Sequence, residues 1–224
     1  MKKCWRIPAK QNAAFAAAME DVLAACHRPC DERKPVFCMD EQPVQLPGEK
    51  REPIPMNEHH EKREDNEYVR KGTCSVFMFV EPLGGRRYAE ASKRRTREDW
   101  AREVRKIVTE EYPQAEKVVP VMDNLNTHTV ASLYEAFPPR EAFEIAQRLE
   151  IRYTPKHGSR LNIAEIELSA MTSQCLNRRI DTLDKLNREV TAWQNDRNRN
   201  QKTVKWQFTA DDARIKLHGL YPVI

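Results

Sequence analysis

The chain lacks any long apolar run. Nowhere in its 224 residues is there a stretch approaching the roughly 20 apolar residues that a membrane-spanning helix needs. Met1, Lys2 and Lys3 are not followed by an apolar signal core. A protein that is neither exported nor membrane-embedded is therefore expected, located in the cytoplasm and without a membrane partner. It also lacks a Cys-x-x-Cys pair. The six cysteines are Cys4, Cys26, Cys30, Cys38, Cys74 and Cys175, and Cys38 and Cys74 fall inside apolar runs, as reduced and partly buried thiols would. Cys26, His27 and Cys30 could supply half a zinc site, but structural zinc wants four well-spaced ligands and the other half is missing. There is no internal repeat and no low-complexity tract. Nor is one sign of charge dominant: 38 Lys and Arg against 34 Asp and Glu leave a net charge of +4. That is weak evidence for a nucleic-acid partner by itself.

What is present suits one large domain, or one domain with an appendage. The most informative stretch is Val118–His128, VVPVMDNLNTH. A short β-branched run reads as a strand buried on both faces, and it stops at Asp123. Pro35–Glu41, PVFCMDE, does the same at Asp40. Acids where buried strands run out sit at the mouth of an open α/β sheet, where ligands bind.

Taken in order, the chain begins with an alanine-rich helix over about 12–26, with Phe15, Met19, Val22 and Leu23 on one stripe. A strand over 35–40 is followed by a long polar stretch, 41–70, expected to be a loop that is either functional or a solvated excursion. Thr73–Val80 and Arg87–Ser92 should form an antiparallel hairpin about Leu83-Gly84-Gly85. Thr96 is an N-cap candidate with Asp99 three positions on, for a helix to Glu111. Its outward side would be basic through Arg94, Arg95, Arg97, Arg102, Arg105 and Lys106, which an ordinary solvated face explains equally well. A strand over 117–122, two helices broken at Pro138-Pro139, a strand over 151–154 and a helix over 161–176 follow. A long polar helix over 181–197 and a basic tail end the chain. This order predicts a mixed sheet with helices on both faces.

Asp40 and Asp123 would lie side by side, and Glu165 or Glu167 on the following helix offers a third acid. Helical periodicity does not choose between the two glutamates. Three converging carboxylates repel each other unless cations occupy the site, and hard oxygen ligands point to Mg²⁺ or Mn²⁺. Acids at strand ends also serve as turn formers and caps.

Three segments together resemble the catalytic domain of bacterial insertion-sequence transposases of the mariner superfamily. They are Cys38-Met39-Asp40-Glu41, Met122–His128 and Tyr153–Glu165, supported by Tyr68–Thr73 and Arg94-Arg95-Thr96. The resemblance implies a ribonuclease-H-like, retroviral-integrase-like α/β fold with a mixed five-stranded sheet. It implies an Asp-Asp-Glu triad of Asp40, Asp123 and Glu165, the last favoured because it follows Leu161-Asn162 by three residues. It implies two Mg²⁺ or Mn²⁺ ions on those acids, with Asn124, His128 and Asn162 in supporting roles. Turn formation by Asn124 and a loop-pinning hydrogen bond by His128 are equally good readings. DNA-backbone contacts are expected from Arg70, Lys71, Lys156, His157 and Arg160, each also explicable as surface charge.

The implied activity is metal-dependent DNA strand cleavage and strand transfer by a nucleoid-associated homodimer acting on transposon ends and target DNA. The expected organisation is a helical lead-in over 1–30, a catalytic domain over 31–200 and a basic segment over 201–224. Relatives carry a helix-turn-helix region ahead of this domain, and no such pattern precedes it here. The chain therefore reads as a catalytic half, with Arg160 where the family usually has tryptophan. The competing expectation is an inactive DNA-binding or dimerising fragment that regulates an intact transposase.

Overall fold

A computed structural model describes residues 12–156, 158–200, 203–204 and 207–222, with Ser159 described by its backbone alone. Five strands form one sheet in the order β3-β2-β1-β4-β5. They are β1 (Val36–Glu49), β2 (Tyr68–Glu81), β3 (Arg86–Ser92), β4 (Val119–Met122) and β5 (Arg152–Tyr153). β1 runs antiparallel to β2, and β2 to β3, whereas β1–β4 and β4–β5 are parallel. The mixed sheet and the β2–β3 hairpin agree with the sequence, and Gly85 supplies the positive φ of the turn.

Period-two alternation divides the core. Cys38, Val76, Met78, Val80 and Val121 face one side, where α1 (Ala13–Cys26), α5 (Ala164–Gln174), α6 (Leu183–Arg199) and α7 (Ala210–Lys216) cover them. Phe37, Met39, Phe77, Phe79 and Met122 face the other, beneath α2 (Arg97–Lys106), α3 (Val130–Ala136) and α4 (Pro139–Arg148). Both faces of the sheet are therefore covered. Met19, Val22 and Leu23 of α1 belong to the first cluster, so the stripe read from the sequence is core. The predicted cap also forms. Thr96 Oγ1 accepts from the Asp99 amide, and the Asp99 carboxylate accepts from the Thr96 amide. Past Lys106 the helix widens into a π turn over Ile107–Glu111.

The stretch 41–70 is not one loop. β1 continues to Glu49 and pairs with β2 from Tyr68, with Pro43 opposite Ser75 and Pro47 opposite Arg70 across a bulge. The prolines are tolerated because β4 accompanies β1 only as far as Cys38. Beyond that point one edge of β1 needs no donor, and an edge is where proline can sit in a strand. The loop proper is 50–67, crossed by the isolated bridges Ile54–Arg63 and Asn57–His60.

The polar character of α6 has a structural use. The helix lies along the outer edge of β3 and hydrogen-bonds it with side-chain amides. Asn187 accepts from the Ala91 amide (2.7 Å) and donates to the Ala91 carbonyl (3.0 Å). Gln194 accepts from the Ala89 amide (2.6 Å). Asn198 accepts from the Arg87 amide and donates to its carbonyl, both at 2.8 Å. Three helix residues thus stand in for a sixth strand and close an edge that would otherwise invite pairing with another chain. Replacing Asn187, Gln194 and Asn198 together with alanine should cost about 3 kcal/mol, roughly 1 for each orphaned amide. It should also cause concentration-dependent association, read by light scattering. A triple variant that is fully stable and associates no more than the parent would show that the ladder is dispensable.

Among the described residues no helix is long and apolar enough to cross a membrane. Cys26, Cys30, Cys38, Cys74 and Cys175 are free thiols, and Cys4 lies outside the described residues.

Candidate active site

The parallel register decides which residues meet. Cys38 of β1 is paired with Val121 of β4, so two residues further on Asp40 stands level with Asp123. Adjacent strands lie roughly 4.8 Å apart. β4 ends at Met122, and the edge of β1 opens beside Asp40. The acid is therefore not at a strand end, as the sequence suggested, but where the neighbouring strand leaves.

Asp40 has the parity of Cys38 and faces α5. Its Oδ1 accepts from the Glu41 amide at 2.8 Å. Burial drives its pKa up to about 7, helped by the negative charges of Asp123, Glu41 and Glu165 and opposed by that amide bond. The repulsion places all three acids within electrostatic reach of Asp40. Glu165 occupies the first turn of α5. Its position is tied to β1 by the buried Asn162, which donates to the Met39 carbonyl at 2.7 Å and accepts from the Ala164 amide at 3.2 Å. One side chain thus couples the strand of the first acid to the helix of the third.

Glu167, two residues beyond Glu165, points elsewhere. It is 1% exposed and takes paired hydrogen bonds from Arg87 (2.9 and 3.0 Å) and Arg197 (2.8 Å each). Burial alone would raise its pKa, but the two guanidiniums hold it below the ordinary value. Glu167 is thus committed to Arg87 and Arg197, whereas Glu165 adds to the negative field at Asp40.

His128 is the hub that the sequence shows only in part. It is 1% exposed. Its Nδ1 lies 2.5 Å from Asp123 Oδ1, and its Nε2 lies 3.1 Å from Glu41 Oε2, a carboxylate only 3% exposed. Neither contact is aligned as a hydrogen bond. The ring's aligned partner is the Asp123 carbonyl at 3.3 Å, so the two carboxylates act on the imidazole by charge and proximity. Burial would lower its pKa, but Asp123 and Glu41 outweigh burial and raise it to about 9. The indole of Trp100 stacks on the ring at 5.8 Å, and Tyr153 donates to the His128 carbonyl at 2.7 Å. The sequence reading passed over Glu41 and Trp100 as site residues.

The basic candidates divide. Lys156 is exposed and shares a groove of about 230 Å³ with Asn12, Phe15, Asn124 and Tyr153. The exposed Arg160 lies in a short 3₁₀ turn ahead of α5. His157 lies outside the described residues. Arg70 is opposite Pro47, seven residues along β1 from Asp40 and so roughly 23 Å up the strand. Lys71 is paired with Asp181 at 2.9 Å. The basic side of α2 is largely neutralised, through Arg97–Glu135, Arg102–Glu98, Arg105–Glu141 and Lys106–Glu90.

Carboxylate oxygens are the donors that Mg²⁺ and Mn²⁺ take, and Asp40, raised by burial and then by its acidic neighbours, carries no cationic partner among the described residues. Among the described residues no three His, Cys, Asp or Glu side chains are gathered closely enough to hold an ion. The donor set fits a divalent cation in chemistry, and the ion would have to draw the groups together.

A family model described as "DDE superfamily endonuclease" matches residues 35–187. The chain belongs to the DDE superfamily endonucleases. No curated protein matches it in sequence. Among solved structures, the DDE domain resembles the catalytic domain of Mos1 mariner transposase at 12% identity and TM-score 0.55, covering 97% of this chain and 100% of that one. It resembles the pre-cleavage Mos1 transpososome at 13% identity and TM-score 0.58, covering 100% of this chain and 68% of that one. A Mos1 paired-end complex with Mn matches at 14% identity and TM-score 0.56, covering 99% and 68%. These likenesses carry the fold, which is ribonuclease-H-like.

Proposed function

We propose that this domain, over about 31–200, catalyses metal-dependent DNA strand cleavage and strand transfer in transposition, with Asp40, Asp123 and Glu165 as the catalytic acids. The observation that carries the reading is the parallel register of β1 and β4, which sets Asp40 level with Asp123, together with the Asn162–Met39 bond that ties β1 to the helix whose first turn holds Glu165. Mg²⁺ or Mn²⁺ held by these acids would supply charge to activate an attacking oxygen and to steady a departing one.

The protein's own groups have separate tasks. Asn162 sets the spacing between β1 and α5. His128 holds Asp123, and Trp100 fixes the plane of the imidazole. Lys156 and Arg160, on the approach to α5, would hold the phosphate backbone without reading sequence, as would His157. Arg70 and Lys71 would reach DNA further from the scissile bond. Cleavage at two transposon ends calls for two such domains, so a homodimer on DNA is part of the proposal.

The test is plasmid nicking by the purified chain with and without Mn²⁺, beside Asp123→Asn. Nicking should need the metal and should fall to background in the variant. Nicking that persists unchanged in Asp123→Asn, or proceeds in chelator, would refute the assignment.

A further inference from the structure

We propose that Lys93, Arg94 and Arg95 form a phosphate-binding ridge, which holds the DNA strand on the β3 side of the acid site. The inference deepens the reading of the acids as a DNA-cleaving centre and rests on it. Strand register gives the location. β1, β2 and β3 share rows, with Asp40 level with Met78 and Ala89, and Pro43 level with Ser75 and Ser92. β3 runs in the direction of β1, so it leaves the sheet at the end where Asp40 and Asp123 lie. Lys93, Arg94 and Arg95 are exposed and belong to the turn from β3 to α2. Arg95 fixes where that turn goes. Its Nη1 lies 3.9 Å from Glu41 Oε1. The other oxygen of Glu41 lies 3.1 Å from His128 Nε2, and His128 Nδ1 lies 2.5 Å from Asp123 Oδ1. The ridge therefore borders the acid site.

The charges of this turn are left over once the domain's own pairs are made. The acids nearest in sequence are engaged elsewhere. Glu98 and Asp99 face Arg102, Asp99 also closes the Thr96 cap, and Glu135 takes Arg97. Among the described residues Lys93 and Arg94 make no ion pair, and Arg95 has its single contact with Glu41. Stability does not explain three consecutive cations here. They repel one another, and they stand just ahead of the α2 N-terminus, whose dipole favours anions. A bound anion relieves both costs. The acids on β1 and β4 lie between β3 and β5, and Lys156 follows β5 on the far side. Four strand spacings separate β3 from β5, roughly 19 Å, or about six phosphates along one DNA strand. Cations at both margins would grip a strand on either side of the bond presented to the acids, by charge and without reading sequence.

The experiment is binding of a fluorescein-labelled DNA duplex, followed by anisotropy across a salt series in chelator, so that no strand is cut. The proteins are the parent chain, Lys93→Ala/Arg94→Ala, the charge-keeping Lys93→Arg/Arg94→Lys, Lys156→Ala and a net-charge control, Lys34→Ala/Arg199→Ala. Lys34 precedes β1, and Arg199 ends α6 beside the start of β3, so both lie at the opposite end of the sheet. Each phosphate contact contributes about 0.9 to the slope of log affinity against log salt. Lys93→Ala/Arg94→Ala should therefore flatten the slope by about 1.8 and weaken binding roughly 10- to 100-fold at moderate salt. Lys156→Ala should flatten it by about 0.9. The charge-keeping variant should match the parent, and the control should shift the slope by less than about 0.5.

An unchanged slope in Lys93→Ala/Arg94→Ala, with Lys156→Ala still flattening it, overturns the ridge while the DNA-cleaving reading stands. An equal loss in the Lys34→Ala/Arg199→Ala control also overturns it, because net charge would then be the cause. Loss in the charge-keeping variant overturns it too, since the side chains would then shape the turn rather than hold phosphate. A parent that binds no DNA sinks the reading of the acid site, and the ridge with it. The substituted residues are exposed, so all five proteins should unfold at the same temperature.

Discussion

Asp40→Asn should make the metal-free protein more stable above pH 7 and remove its affinity for Mn²⁺. The carboxyl titrates at about 7 in the folded chain against 3.8 for the free side chain. Between those values the folded state holds a proton that the unfolded state has released. Stability therefore falls as pH rises from about 4 to about 7. Asparagine carries no such proton and can still accept the Glu41 amide. At pH 4 parent and variant should unfold at similar urea concentrations. At pH 8 the variant should be more stable by about 2 kcal/mol, the full conversion of the shift having been reduced for the solvent that reaches a half-buried group. The same proton must leave before a cation binds, so Mn²⁺ affinity in the parent should weaken about tenfold per pH unit below 7. Urea melts across pH, with Mn²⁺ titrations alongside, check both halves. A variant less stable than the parent at pH 8 would mean that Asp40 is held by favourable contacts rather than crowded by other acids.

The trade in that prediction is common at functional sites, where local rules of stability are broken for chemistry. It also explains which parts of this protein the sequence could reveal. The strands around Phe37 and Val121 are apolar on both faces and announce themselves. The Thr96–Asp99 cap is a local pattern and forms as read. β1 beyond Asp40 was hidden because Pro43 and Pro47 argue against a strand. They are permitted only because β4 stops at Cys38, a tertiary fact. Glu41 was hidden because a glutamate after an aspartate looks like the polar rim of a strand. Its parity with Phe37 and Met39 was the available signal that it points into the core.

Asparagine and glutamine on α6 looked like ordinary solvated surface. Their work at the β3 edge depends on a helix and a strand whose contacting residues are separated by 96 to 111 positions in the chain, which no local pattern encodes. The two glutamates of α5 were ambiguous for a simpler reason. At about 100° per residue they lie roughly 200° apart on the helix, and each bordered an apolar stripe. Only the residues packed opposite decide between them.

Those opposite residues give the second large effect. Glu167→Leu should destabilise the domain by about 3–5 kcal/mol, because it strands Arg87, which is 0% exposed, without its counter-charge. Arg197, less deeply buried at 17%, can turn toward solvent and should contribute less. Glu165→Gln, two residues away, should change stability by less than about 1 kcal/mol, yet abolish Mn²⁺-dependent nicking. One substitution lowers stability and spares the site chemistry in the folded protein; the other spares stability and removes the chemistry. The control is a triple replacement, Arg87→Met, Glu167→Leu and Arg197→Met. Well-packed apolar residues in place of a buried ion network are often neutral or stabilising, so the triple variant should recover most of the stability lost in Glu167→Leu. If it recovers, the network is a structural alternative to an apolar core. A Glu167→Leu variant as stable as the parent would mean that the guanidiniums are satisfied by the carbonyl of Gly85 and other neighbours, and that Glu167 is free for another role. Equilibrium urea unfolding of the three proteins, with nicking measured on each, separates these outcomes and fixes which glutamate of α5 serves the acid cluster.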